Sequence, residues 1–255
     1  MASGSQEKNT LDDVLDELAR AHRVLAMLDH TFATMGSVSL RDSGGQGFWT
    51  KRSGIGMEEV FGPAELVLTS FDGKRIAGSG GPPMEWAIRA AVFQARPDVN
   101  VVVYCSSFYS AVFSATGRQL LPVSDEGKHF DSEVPQYVLS TGKMSDPAVA
   151  AQAAAALGNA KALLLKNNGV VTVAGSVPVA VLRAIFIEKA CQMQLSAEGS
   201  RYHWGWLEND AGLSGMSLTS PRQVDNFWGF FLRQLERLES GASLPGDWLP
   251  ESPLS

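Results

Sequence analysis

Glu85 and Arg89 stand one helical turn apart, shortly after the dipeptide Pro82-Pro83. A carboxylate in that position has two readings. It is a first-turn glutamate favoured by the helix dipole and paired with the arginine, an arrangement worth about 0.3–0.5 kcal/mol when exposed. Or it is a general acid/base in a pocket, where the guanidinium favours its ionised form and burial opposes it. Arg52 is similarly open: a guanidinium grips a carboxylate or phosphate bidentately, and it serves equally as a solvated surface charge. His129 falls in the predicted loop 125–130, where a lone histidine is more often incidental than catalytic. Cys105 and Cys191 sit in apolar segments, as buried, reduced thiols do.

These side chains need a frame. Over 10–34, Leu11, Val14, Leu15, Leu18, Leu25 and Leu28 recur at three- and four-residue steps, which predicts a helix. Thr10 suits its N-cap, Asp12 and Asp13 suit its dipole, and Gly36 breaks the pattern. Short strands at 38–41 and 48–50 flank Gly44-Gly45. Segments 64–70 and 74–77 read as a hairpin around Asp72-Gly73. A glycine- and proline-rich loop at 78–83 leads into a helix over 84–94, stopped by Pro97. The run 99–105 is almost continuously β-branched, the mark of a strand buried on both faces. A helix at 106–115 and strands at 119–123 and 133–139 follow. An alanine-rich helix at 146–157 opens with Asp146-Pro147. Strands at 162–165 and 170–173 flank the turn Asn167-Asn168-Gly169, and 177–197 is a long apolar helix.

Strands alternating with helices predict one α/β domain, a mixed central sheet covered by helices on both faces. The expected organisation is a flexible stretch over 1–9, this domain over 10–199, an aromatic-rich helical extension over 200–239 and a flexible tail over 240–255. Trp204, Trp206 and Trp228 in the extension read as core or interface. Hydrophobic residues make up 45% of the chain and charged ones 19%, enough to build a sizeable core. The formal net charge of −6 argues against a nucleic-acid partner. No apolar run approaches the roughly 20 residues of a membrane span. The polar stretch 1–9 lacks a signal-like apolar region, so the expected location is cytoplasmic.

Several segments, in order, resemble one family. Gly36-Ser37-Val38-Ser39-Leu40-Arg41 resembles Gly-Asn-(Ile/Val)-Ser-x-Arg of the class II aldolase/adducin family, and Arg52-Ser53-Gly54 resembles its Pro-Ser-Gly turn. Leu66-Val67-Leu68 through Asp72-Gly73 resembles the strand and turn that follow. Pro83-Met84-Glu85 with Arg89 resembles a Ser-Ser-Glu segment with a histidine four residues on. Arg96-Pro97-Asp98-Val99, Lys166-Asn167-Asn168-Gly169-Val170-Val171 and Glu188-Lys189-Ala190 resemble three later motifs. The resemblance implies a three-layer α/β/α fold and a homo-oligomer, tetramer or dimer. It also implies a site where a metal held by three histidines stabilises an enediolate while a glutamate moves the proton.

This sequence departs from that pattern. The two histidines of the core strand are Tyr104 and Ser106, and the third is Asn168. His22, His30, His129 and His203 match none of those positions. Phenol, hydroxyl and amide are poor zinc ligands, so neither metal nor another cofactor is expected. The family's phosphate-binding asparagine is Ser37, and Pro83 and Met84 replace its two serines. Glu85 keeps the catalytic position. The resemblance therefore implies Glu85 as proton carrier and Arg89, Tyr104, Ser106 and Asn168 as donors to an oxyanion or enolate. His129 lies near a loop that reaches the family's site. Ser37, Arg41, Arg52, Ser53 and Gly54 would hold the substrate, with Arg41 or Arg52 on a carboxylate. The expected function is a metal-independent lyase or isomerase performing retro-aldol cleavage, decarboxylation, dehydration or cyclisation. Its small-molecule substrate would be an organic-acid, aromatic or polyketide-like metabolite of specialised metabolism. The alternative is a non-catalytic, adducin-like binding or scaffold protein.

Overall fold

The structure, a computed structural model, describes residues 10–130, 134–138, 145–205 and 218–241. The expected loose stretch 1–9, the tail from 242 and Trp206 lie outside the described residues. Helix α1 (Leu11–Met27) opens with a capping box: Thr10 Oγ1 accepts from the Asp13 N–H at 3.2 Å, and the Asp13 carboxylate accepts from the Thr10 N–H at 2.8 Å. The helix stops at Met27, short of the 34 expected, because Asp29 adopts a left-handed φ of 57°.

Among the described residues, eight strands form one sheet. They are β1 (Ser37–Arg41), β2 (Gly47–Lys51), β3 (Leu66–Ser70), β4 (Arg75–Gly78), β5 (Val101–Cys105), β6 (Gln136–Tyr137), β7 (Ala162–Leu165) and β8 (Gly169–Ala174). Their spatial order is β4-β3-β2-β1-β5-β8-β7-β6. The pairing is antiparallel except between β6 and β7, which makes the sheet mixed as expected. Helices α2 (Trp86–Ala95) and α5 (Pro147–Leu157) cover one face. Helix α1, α3 (Phe108–Thr116) and α6 (Val177–Gly199) cover the other, with α7 (Pro221–Glu239) packed on α1 and α6. Strand β5 shows why its sequence is apolar throughout. Val101, Val103 and Cys105 enter the α1/α6 core, whereas Val102 and Tyr104 enter the α2/α5 core.

Two local expectations are corrected. Residues 119–123 form no strand, because a side chain of α6 takes the place of a neighbouring strand: Gln194 Oε1 accepts from the Leu121 N–H at 2.8 Å. The stretch expected as a loop at 125–130 holds a short helix α4 (Asp125–Lys128), capped by Ser124 accepting from the Gly127 N–H at 3.3 Å. Of the strand expected at 133–139, Gln136 and Tyr137 pair with β7, and residues 133 and 139 lie outside the described residues. No described helix is long and apolar enough to cross a membrane.

His22 joins helix to sheet. Its Nδ1–H donates to the Leu18 carbonyl at 2.8 Å, and its Nε2 accepts from the Val38 N–H at 3.0 Å. Both bonds require a neutral ring, and burial pushes its pKa down to about 3, helped by Lys51, Arg89 and Arg23. Between pH 6.5 and 3 the unfolded chain therefore binds a proton that the folded chain excludes. This contribution is complete above pH 6.5 and erodes on acidification by about 1.4 kcal/mol per pH unit. Equilibrium unfolding of His22→Gln should show a flatter fall in stability between pH 6 and 4.5 than the parent; identical slopes would contradict the buried neutral ring.

Candidate functional site

The site lies where β5 ends and β1 and β8 begin, beside the start of α2. Gly73, at φ +81°, stacks its bare backbone against the Trp86 indole, and an added Cβ would sit 2.5 Å from that ring. This contact anchors the first turn of α2. The loop before it is tied to the segment after β2: the Ser53 N–H donates to the Gly81 carbonyl at 2.8 Å, and the Arg52 side chain runs along Gly80. Glu85 occupies the N-cap position of α2 without capping it through its side chain, so the carboxylate is available for other work.

Glu85 and Arg89 are not the exposed surface pair that one reading allowed. Glu85 is 7% exposed and Arg89 has no accessible surface. Glu85 Oε2 comes to 3.9 Å from Arg89 Nη1, a loose ion pair. Among the described residues, Arg89 Nε, Nη1 and Nη2 find no hydrogen-bond partner. The guanidinium carbon lies 5.6 Å from the centroid of the Tyr104 ring. Burial lowers the Arg89 pKa while Glu85 raises it.

Tyr104 donates its hydroxyl hydrogen to Asn168 Oδ1. Burial pushes its pKa up to about 12, with the adjacent Ser106 pulling the other way, so the phenol stays protonated near neutral pH. With Oδ1 engaged, Asn168 presents its amide nitrogen as a donor. Ser106 Oγ is buried and makes no hydrogen bond of good geometry among the described residues. The turn holding Asn168 presses against β5, since a Cβ at Gly169 would sit 2.0 Å from the Cys105 carbonyl oxygen. On the other side of Ser106, Glu188 of α6 clamps the start of α3. Its carboxylate accepts from the Tyr109 and Ser110 N–H groups, each at 2.7 Å, and from Ser110 Oγ at 2.5 Å.

Of the expected substrate-binding residues, Ser37 pairs with Tyr104 across the ladder and lies beneath the site, its Oγ accepting from Thr50 Oγ1 at 3.2 Å. Arg52, Ser53 and Gly54 border the loop into Glu85. Arg41 is not brought to the site. It sits at the far end of β1, donating to the Phe93, Arg96 and Val99 carbonyls at 2.7–3.0 Å and stacking 4.9 Å from the Phe93 ring centroid. Those bonds leave it a structural clamp. His129 is also placed elsewhere. It packs edge-on against Phe130 and Phe186 and accepts from Arg183 Nε at 3.3 Å, while Arg183 bonds the Val173 carbonyl towards the other end of β8. Cys105 and Cys191 are buried thiols pushed well above their ordinary pKa by desolvation.

Lys51 was not among the expected site residues. It is fully buried, donating to the Thr34 and Ile55 carbonyls at 2.8 and 2.7 Å. Burial, joined by Arg89 and opposed by Glu85, brings its pKa down to about 8, so the three charges share one field. A lysine closing the otherwise buried strand Gly47–Lys51 was the available signal.

The donor set suits a zinc ion poorly. Glu85 faces a guanidinium, Tyr104 and Asn168 satisfy one another, and no group of three His, Cys, Asp or Glu side chains converges among the described residues. The Gly169–Cys105 approach holds Asn168 in register with Tyr104. Gly169→Ala should therefore cost about 1–3 kcal/mol in chemical denaturation, and an unchanged midpoint would contradict that packing.

Known proteins resemble this chain in sequence and fold. Over 144 residues it is 31% identical to a Streptomyces roseochromogenus subsp. oscitans protein named 4-hydroxy-3-prenylphenylpyruvate oxygenase/4-hydroxy-3-prenylbenzoate synthase, covering 54% of this chain and 50% of that one. Over 113 residues it is 31% identical to Decarboxylase NovR of Streptomyces niveus, covering 44% and 42%. The chain thus spans half or less of these two relatives. Its fold superposes on L-fuculose 1-phosphate aldolase from Glaciozyma antarctica PI12 with a TM-score of 0.73 at 23% identity, over 92% and 96% of the two chains. Residues 16–195 match the model of the class II aldolase and adducin N-terminal domain, and the chain belongs to that family.

Proposed function

We propose that the protein is a metal-independent lyase or isomerase that works through an enolate-like intermediate on an organic-acid, aromatic or polyketide-like metabolite of specialised metabolism. The observation that carries this reading is Glu85, retained and nearly buried, beside a guanidinium whose nitrogens lack hydrogen-bond partners. In a retro-aldol step, Glu85 would take the proton of the substrate hydroxyl. The carbon–carbon bond then breaks, and its electron pair moves into the adjoining carbonyl to give an enolate. Arg89 and the amide nitrogen of Asn168 would stabilise that oxygen, with Tyr104, whose hydroxyl hydrogen goes to Asn168 Oδ1, holding the amide in place, and Glu85 would return the proton to carbon. In a decarboxylation, the electron pair of the bond to the departing carboxylate enters the same carbonyl. The names of the two Streptomyces relatives, one a decarboxylase and the other a prenylphenylpyruvate oxygenase and prenylbenzoate synthase, support an aromatic acid over a sugar phosphate.

The same reading includes a homo-oligomer acting on a small molecule, without nucleic-acid or membrane partners and located in the cytoplasm. Met84, next to Glu85 in the chain, and Phe108, two residues after Ser106, are 73% and 68% exposed, a fitting place for a second copy to pack. One observation favours the scaffold alternative: Arg89 and the Tyr104 ring are sealed within this chain, as in a site filled by its own side chains. Incubation with aromatic 2-oxo and 3-oxo acids, following carbon dioxide or aldehyde release after chelation, distinguishes the two. Turnover should persist after chelation and fall about 10²- to 10⁴-fold in Glu85→Gln. Turnover that vanishes on chelation, or survives the substitution unchanged, would reject this mechanism.

A further inference from the structure

Arg89 is the least compensated group among the described residues. It is wholly enclosed, its three nitrogens lack hydrogen-bond partners, and its one carboxylate neighbour stays at 3.9 Å. A charge-assisted hydrogen bond is about 1 Å shorter. A buried ion left in this condition costs several kcal/mol, and a fold tolerates it where something else completes the site. Lys51 places a second enclosed cation in the same field, with two of its hydrogens already donated to carbonyls. Glu58 and Glu59 also act on Lys51, but they are exposed and screened by water. His22 is neutral and Tyr104 protonated, so neither alters the balance. Two cations against one carboxylate leave a single positive charge inside.

We infer that the ligand of this site is a monocarboxylate that pairs with the Arg89 guanidinium, with Lys51 supplying the field, and that the site disfavours phosphate dianions. The inference rests on the pocket being a substrate site and adds the charge class and the inner anchor. A carboxylate matches the fork of a guanidinium and cancels the one surplus charge. A phosphate dianion would overshoot it. The segment before Glu85 also brings no hydroxyl to greet a phosphate, since Pro83 and Met84 stand there.

Calorimetry and thermal unfolding of the full chain with sodium benzoate, sodium pyruvate and inorganic phosphate test this. Benzoate or pyruvate should bind and raise Tm, whereas phosphate should do neither. In Arg89→Met, monocarboxylate affinity should drop about 10- to 100-fold. The unliganded variant should also melt higher than the unliganded parent, because an unpaired buried charge is gone. Phosphate binding in place of carboxylate, undiminished affinity in Arg89→Met, or a lower Tm for that variant would overturn the proposal. Should Arg89→Met fail to fold, Glu85→Gln serves instead. Removing the competing carboxylate should tighten benzoate binding, and weaker binding would overturn the assignment. A monocarboxylate that binds at Arg89 but is never converted leaves this inference standing and removes the lyase reading. Turnover of an uncharged or phosphorylated substrate independent of Arg89 does the reverse.

Discussion

Strand β5 has helices on both faces, so every side chain along it must suit an interior. Val101, Val102, Val103 and Cys105 do so by being apolar. Polar chemistry can enter only where the strand runs out, and Tyr104 stands at that boundary with its ring in the core and its hydroxyl directed to Asn168. The site follows from this. Ser37 is fixed by pairing with Tyr104, Asn168 by the Gly169 approach to the Cys105 carbonyl, and Arg89 by α2 lying across the same face. A central strand that is rigid because it is buried gives its end a position that loops alone would not hold.

The arrangement places stability and function in opposition. Desolvation acts on Arg89, Lys51 and His22 in the same direction, against positive charge; Glu85 offsets it at Arg89 and Lys51, and the Leu18 carbonyl offsets it at His22. His22 responds by staying neutral. Lys51 responds by bonding two carbonyls. Arg89 has no such recourse among the described residues and holds its charge in reserve. Unmatched buried charge is a poor way to stabilise a fold and an effective way to prepare for an anion, because the cost of organising the donor has already been met.

Much of this was legible in the sequence, for local reasons. The leucine spacing of α1, the Thr10 cap, the β-branched run of β5 and the turns around Asp72-Gly73 and Asn167–Gly169 are short-range signals, and the structure follows them. The ordered family motifs gave the expectation that Tyr104, Ser106 and Asn168 stand at the family's histidine positions, and in the structure Tyr104 bonds Asn168. Long-range partners were not legible. Arg41 was assigned to substrate because a motif arginine looks available, but its carbonyl acceptors lie more than fifty residues away. The segment 119–123 has a strand-like composition, yet its backbone partner is Gln194, more than seventy residues on. Lys51 looked like the end of a strand, and only the fold turns it inward beside Arg89.

The Glu188 clamp divides labour in a way that bears on how such a protein changes over time. Three bonds from one carboxylate on α6 hold the first turn of α3, and with it the segment after Ser106, without help from anything a ligand would touch. Met84 and Phe108 project outward from this frame with little packing to lose. Variation at those two positions can reshape the surface near Glu85 and Ser106 while the strand ends stay in place. A lineage, or an engineer, can therefore alter that surface one residue at a time without rebuilding the interior.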